Sequence, residues 1–232
     1  GPFPAVVMPH GGPFVHESVG YSEWGQMLAN NGYLVFQPQY RGSKGYGLDY
    51  YKSSFINGGQ GGYAMQDDKD DGVKYLIKKG LVDANRVAMF GWSYGGYAAL
   101  VAASRTEQLY QCVIAGAAVS DTQLQVNYYK KRLRGASKIE QVNMWQDSIS
   151  PIKEVAKVNI PILLIHGSVD QRVPLEHAKR YLKALKKHNK KHQYVELEGA
   201  DHFTNTLFYQ HKLKLYSSMI SYLKNSCGPG GL

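Results

Sequence analysis

The sequence predicts an α/β fold, a mostly parallel sheet with helices on both faces. Two observations predict it. Short apolar runs alternate with helical patterns along the chain, and the run 160–165 is apolar at every position, as a strand covered on both sides must be. A chain of 232 residues with 44% hydrophobic content suits one large domain with an ample core, expected here over 1–225. The remaining 226–232, with Cys227-Gly228-Pro229-Gly230-Gly231-Leu232, is of low complexity and expected to be a flexible tail. Neither an internal repeat nor an interdomain linker is visible.

In chain order, Ala5-Val6-Val7-Met8 is a short strand that runs into the loop Pro9-His10-Gly11-Gly12-Pro13-Phe14. A helix over 22–30 and a strand over 33–37 follow, then a helix over 64–79 whose early Asp67, Asp68, Asp70 and Asp71 favour its N-terminal dipole. Strand 86–90 leads to a small-residue helix over 94–104, and strand 111–115 follows. An excursion over 120–157 breaks the alternation, which resumes with strand 161–165, helix 175–187, strand 193–197 and helix 205–224. In helix 175–187 the apolar stripe is Ala178, Tyr181, Leu182 and Leu185, which sends Lys183, Lys186, Lys187, Lys190 and Lys191 to solvent or to the negative helix end.

The most informative stretch is Met89-Phe90-Gly91-Trp92-Ser93-Tyr94-Gly95-Gly96-Tyr97-Ala98, a Gly-x-Ser-x-Gly turn between an apolar strand and a helix. This is the pattern of a nucleophile elbow. Gly91 and Gly95 are needed because the serine sits at a strained backbone position, where a Cβ two residues away would collide with the adjacent strand or helix. Ser93 is thereby lifted above the sheet, beside a helix N-terminus that favours negative charge developing on a substrate oxygen.

A serine near its free pKa is a weak nucleophile, so the pattern demands a base and an orienting acid, in the order serine, acid, histidine. Asp170 lies on the loop after strand 161–165 and is the expected acid; His202 lies on the loop after strand 193–197 and is the expected base. Asp121 is an alternative acid, on the loop after an earlier strand. Asp201 adjoins His202 and is expected to cap a turn. His166 is read as a core histidine, while His16, His177, His188, His192 and His211 are placed on surface stretches without metal-ligand spacing. The glycines of the loop after the first strand let amides approach a ligand, so the N–H groups of Gly12 and Tyr94 are the expected oxyanion donors.

His10-Gly11-Gly12-Pro13, Tyr40-Arg41-Gly42-Ser43 with Gly45-Tyr46-Gly47, Gly91-Trp92-Ser93-Tyr94-Gly95-Gly96-Tyr97 and Asp170-x-Arg172-Val173-Pro174 together resemble the catalytic domain of the prolyl oligopeptidase family, nearest its acylaminoacyl peptidase and dipeptidyl aminopeptidase branch. The matching segments run over 5–223. The resemblance implies an α/β-hydrolase fold and a serine peptidase acting on short peptides through Ser93, Asp170 and His202. It implies that Trp92 packs beneath the elbow and that Arg41 holds its loop rather than touching substrate. It also implies an N-terminal β-propeller in full-length members, which is absent from this sequence. The excursion is expected to wall the acyl pocket through Val126, Tyr128, Tyr129 and Trp145, with Phe14 as a further lining residue; packing of these side chains onto the core is the competing expectation. A carboxylesterase with the same acyl-enzyme chemistry and a non-catalytic interaction domain are the alternatives.

The net charge of +9 gathers on solvated lysines, without aromatics interleaved along a basic groove, so a nucleic-acid partner is not expected. No apolar run is long enough for a membrane span, and no membrane partner, metal or cofactor is expected. Two cysteines, Cys112 and Cys227, do not suggest a disulfide framework, which favours a reducing, cytoplasmic setting. A homo-oligomer is left open.

Overall fold

The computed structural model describes residues 1–232. Its first half runs β1 (Phe3–Val7), α1 (Glu23–Asn30), β2 (Leu34–Phe36), α2 (Leu48–Lys52), α3 (Ala64–Lys78), β3 (Val82–Trp92) and α4 (Tyr94–Ala102). Then come β4 (Cys112–Gly116), α5 (Thr122–Arg132), α6 (Gly135–Asp147), α7 (Pro151–Glu154), β5 (Ile162–Gly167), α8 (Glu176–Lys187), β6 (His192–Leu197) and α9 (Tyr209–Ser226). The strands form one sheet in the order β2-β1-β3-β4-β5-β6, and every neighbouring pair is parallel.

Side chains alternate across this sheet with the period of two that a pleated strand imposes. Val7, Val87, Met89, Val113, Ala115, Ile162 and Leu164 face α3, α4 and α8, where Val73, Leu100, Tyr181 and Leu185 meet them. Val6, Ala88, Phe90, Cys112, Ile114, Leu163 and Ile165 face α1 and α9, where Leu28, Leu215, Met219 and Leu223 meet them. Both faces are covered, which is why the strands read as apolar runs. Each fully buried large side chain in these layers contributes about 1.5–3 kcal/mol.

β1 continues to β2 on one side of the sheet and β3 continues to β4 on the other, although β1 and β3 are neighbours. The loops leaving their C-terminal ends therefore part in opposite directions and open a crevice, the place where open α/β sheets bind ligands. The loop after β1 carries Gly11 and Gly12, and the turn after β3 carries Ser93.

The cysteine reading and the start of β3 differ from expectation. Cys112 and Cys227, both fully buried, form a disulfide that ties β4 to the residue following α9. A separation of 115 residues hides such a pairing from any local pattern, and it removes the ground for expecting a reducing compartment. Beyond Cys227 the chain turns back, and the Leu232 N–H donates to the Leu223 carbonyl. β3 begins at Val82 rather than 86, because Phe3 pairs with Val82 across a register shift in β1. The excursion forms α5, α6 and α7, the first started by Asp121, whose Oδ1 accepts from the Leu124 N–H at 3.1 Å. No helix is long and apolar enough to cross a membrane.

Candidate active site

Ser93 has φ 61° and ψ −117°, a left-handed backbone that a non-glycine residue rarely adopts. Its neighbours show what holds it there. A Cβ on Gly91 would lie 2.2 Å from the Gly95 carbonyl carbon, and one on Gly95 would lie 2.2 Å from the Pro9 carbonyl oxygen. A side chain at either position would push β3, α4 and the loop after β1 apart, so strand, helix and loop close on the serine only with glycine at both. The Ser93 N–H donates to the Gly116 carbonyl at 2.9 Å, pinning the turn to β4.

Asp170 and His202 meet. His202 Nδ1 donates to Asp170 Oδ2 at 2.7 Å, and both side chains are buried. With its proton on Nδ1, the ring keeps the lone pair on Nε2 for another proton. The other carboxylate oxygen, Oδ1, accepts from the Arg172 and Val173 N–H groups at 2.8 Å each, so the loop folds its own backbone around the acid. His166 Nε2 donates to the Val173 carbonyl at 2.8 Å and lies 3.6 Å from Asp170 Oδ2; burial lowers its pKa, so it braces the loop as a neutral ring. The Trp92 indole N–H donates to the His202 carbonyl at 2.8 Å, linking the residue before the serine to the backbone of the histidine.

Ser93 and His202 line one cavity of about 460 Å³, together with Gly11, Gly12, Trp92 and Arg172. Gly12 has φ 110°, and a Cβ there would come within 2.9 Å of the Phe14 nitrogen, so the loop requires glycine. Tyr94 opens α4, where the first N–H groups have no partner within the helix. The loop is held from behind: the Tyr40 hydroxyl donates to the His10 carbonyl at 2.6 Å, and the Tyr40 and His10 rings stack at 4.3 Å.

The other assignments resolve from geometry. Asp121 caps α5 and meets Arg180 at 3.3 Å, too engaged to orient His202. Asp201 Oδ1 accepts from the Gln171 and His202 N–H groups, a turn cap. Arg41 grips Asp68 through Nε at 2.8 Å and Nη2 at 2.7 Å, holding its loop on α3. His177 is fully buried, contrary to the surface placement. It stands four residues before Tyr181 and eight before Leu185, on the same apolar stripe, and that spacing was the signal for it.

None of Phe14, Val126, Tyr128, Tyr129 and Trp145 lines the cavity beside Ser93. Phe14, Val126, Tyr129 and Trp145 are buried in a third cluster above α4, where Trp145 meets the Tyr97 ring edge-on at 4.9 Å. Aromatic rings gain more by packing on one another than by standing in an open wall. The excursion serves the site differently: the Tyr128 hydroxyl donates to the Gln171 carbonyl at 2.6 Å and Gln125 Nε2 to the Arg172 carbonyl at 3.1 Å, so α5 braces the Asp170 loop. Trp24, Val15, Phe203 and Thr204, which do line the cavity, carried no motif. Lys69 was equally hidden within an acidic run. It is fully buried with Nζ 3.6 Å from the Tyr40 ring centre, and burial brings its pKa down to about 7.

Comparison with known proteins agrees with this architecture. The chain is 32% identical over 213 residues to dipeptidyl aminopeptidase BIII of Pseudoxanthomonas mexicana, covering 87% of this chain and 30% of that protein. It is 29% identical over 240 residues to the acylamino-acid-releasing enzyme of Rattus norvegicus, covering 90% of this chain and 31% of the relative. The chain thus spans about a third of the length of these relatives. Among solved structures, the Pyrococcus horikoshii acylaminoacyl peptidase superposes with a TM-score of 0.84 at 23% identity, over 99% of this chain and 38% of that one. A puromycin-hydrolyzing peptidase of Mycobacterium tuberculosis superposes with a TM-score of 0.85 at 22% identity, over 97% and 34%. Those likenesses establish the α/β-hydrolase fold. The sequence profile of the prolyl oligopeptidase family, peptidase S9, matches residues 20–230, and with the elbow and the paired Asp170 and His202 in place, the chain belongs to that family.

Proposed function

We propose that the chain is the catalytic domain of a serine peptidase, with Ser93 as nucleophile, His202 as general base and acid, and Asp170 as the acid that orients it. The single observation that carries this reading is the His202 Nδ1 hydrogen bond to Asp170 Oδ2 in a cavity that His202 shares with the strained Ser93. Ser93 Oγ attacks the carbonyl carbon of a peptide bond while His202 Nε2 takes its proton. The N–H groups of Tyr94 and Gly12 receive the oxyanion, a contribution of about 3–4 kcal/mol per donor in hydrolases of this kind. His202 then returns the proton to the departing amine, and water releases the acyl group by the same steps in reverse.

The relatives named above are, by name, a dipeptidyl aminopeptidase and an acylamino-acid-releasing enzyme, which supports short peptides as substrates. Their greater length supports a further domain in the full-length protein, an N-terminal propeller on the family resemblance, that supplies the rest of the substrate surface. The Cys112–Cys227 disulfide favours an oxidising compartment over the cytoplasm.

The test is turnover of matched aminoacyl esters and aminoacyl amides with free and acylated amino termini. Hydrolysis of the amides supports the peptidase, and the preferred terminus separates its two relatives. Turnover confined to activated esters would replace the peptidase by an esterase.

A further inference from the structure

Beyond Ser93 and His202, the cavity is lined by Val15, Trp24, Trp92, Phe203 and Thr204, with Gly11, Gly12 and Arg172. On the serine-peptidase reading above, on which this inference rests, His202 hands its proton to the departing amine, so the amine half of the substrate sits on the His202 side of Ser93. The cavity extends to that side. It follows the chain past the base to Phe203 and Thr204 and is walled by Trp24, Trp92 and Val15, while α5, α6 and α7 contribute nothing to it.

The chemistry of the wall is apolar and aromatic. The Trp24 and Trp92 rings lie 5.8 Å apart, and the Trp92 N–H is already spent on the His202 carbonyl. Phe203 meets the His202 ring edge-on at 5.4 Å and yet remains 56% exposed, and Val15 is 47% exposed. Large apolar side chains left uncovered at the rim of a cavity gain by being covered. The one charged side chain in the lining, Arg172, has its guanidinium over the Tyr129 ring of α5 at 5.2 Å.

We propose that this cavity is the leaving-group subsite and that it selects amines bearing a large apolar side chain, above all an aromatic one. The chain therefore discriminates by the residue after the scissile bond, with Trp24 and Phe203 as the discriminating side chains.

The subsite is read directly by running the acylation step backwards. The acyl-enzyme formed from an N-acylaminoacyl p-nitrophenyl ester is offered phenylalaninamide or glycinamide in competition with water. The amine nitrogen attacks the acyl carbon and gives its proton to His202. The new C–N bond forms, the ester C–O bond breaks, and Ser93 Oγ leaves with the proton from His202. Wild type is expected to capture phenylalaninamide at least about tenfold more efficiently than glycinamide. Phe203→Ala and, separately, Trp24→Leu should bring that ratio toward one. The readout is a ratio within each variant, so a general loss of activity cancels, and exposed Phe203 keeps the test valid should Trp24→Leu fold poorly. Equal capture of the two amines by wild type, or a preference that survives both substitutions, overturns the subsite alone. Absence of a p-nitrophenol burst and of an acyl adduct on Ser93 overturns the serine reading and the subsite with it.

Discussion

Two buried histidines, His177 on α8 and His202 on the loop after β6, differ in their partners, and the partners make them different groups. His202 gives its Nδ1 proton to a carboxylate, Asp170, at 2.7 Å. His177 Nδ1 instead accepts from the Ser120 and Asp121 N–H groups, and its Nε2 donates to Gln125 Oε1 at 2.8 Å. Every polar atom of the second ring is thus spent on neutral partners, and burial takes its pKa down to about 3. The first ring has a carboxylate on one nitrogen and lines a cavity with Ser93, the arrangement that leaves Nε2 free for another proton. Burial alone does not equip a histidine to act as a base; on the proposed reading, a carboxylate on one nitrogen and an open second nitrogen do.

That contrast can be broken most severely at the first site. His202→Ala should lower turnover by roughly 10⁶-fold, the scale set by removal of a triad histidine elsewhere, with an unchanged circular dichroism spectrum. Asp170→Asn keeps the shape and removes the charge, and should cost roughly 10⁴-fold in kcat. Should Asp170→Asn retain near-wild-type turnover, the charge argument fails.

At the second site the same kind of change should touch stability instead. As a reference for a purely structural link, replacing both Cys112 and Cys227 by alanine should cost about 2–5 kcal/mol in denaturant unfolding, since the bridge closes a long loop, and leave the active-site labelling rate of the folded fraction unaltered. His177→Leu removes the partner of the Ser120 and Asp121 N–H groups and of Gln125 Oε1, and should cost about 1–3 kcal/mol. A loss of turnover in the folded His177→Leu protein as large as that of Asp170→Asn would erase the distinction between the two rings.

The smallest expected effect is on pH dependence. The unfolded chain protonates His177 near the ordinary histidine value of 6.5, whereas the folded protein resists until about 3. Between these values the unfolded state binds more protons, so stability falls as pH drops through that window. His10, lowered to about 4 by burial, adds to the same slope. Urea titrations from pH 6.5 to 4 should show a shallower decline in His177→Leu than in wild type, and parallel declines would contradict the buried neutral ring.

Much of this architecture was legible. β4 and β5 announce themselves as apolar runs because both faces of the sheet are covered, and the elbow because its Gly-x-Ser-x-Gly spacing lies within one strand-turn-helix unit. Asp170 and His202 follow from their positions after β5 and β6, where chain order alone predicts loops at one sheet edge. What stayed hidden depends on distant partners. The Cys112–Cys227 bond joins segments 115 residues apart, Lys69 is buried by rings from the loop after β2 and from α4, and the aromatics of α5 and α6 pack on α4 instead of lining the cavity. A local pattern records what a residue is; it does not record which surface folds back onto it.

The assignment of Ser93 as the activated nucleophile can be tested at the side chain itself. Wild type and Ser93→Ala should be incubated with a fluorophosphonate and the adduct mapped by mass spectrometry. A single adduct is expected on Ser93, formed slowly in His202→Ala and absent from Ser93→Ala. Labelling that persists in folded Ser93→Ala, or a folded wild type that takes no label, would contradict it.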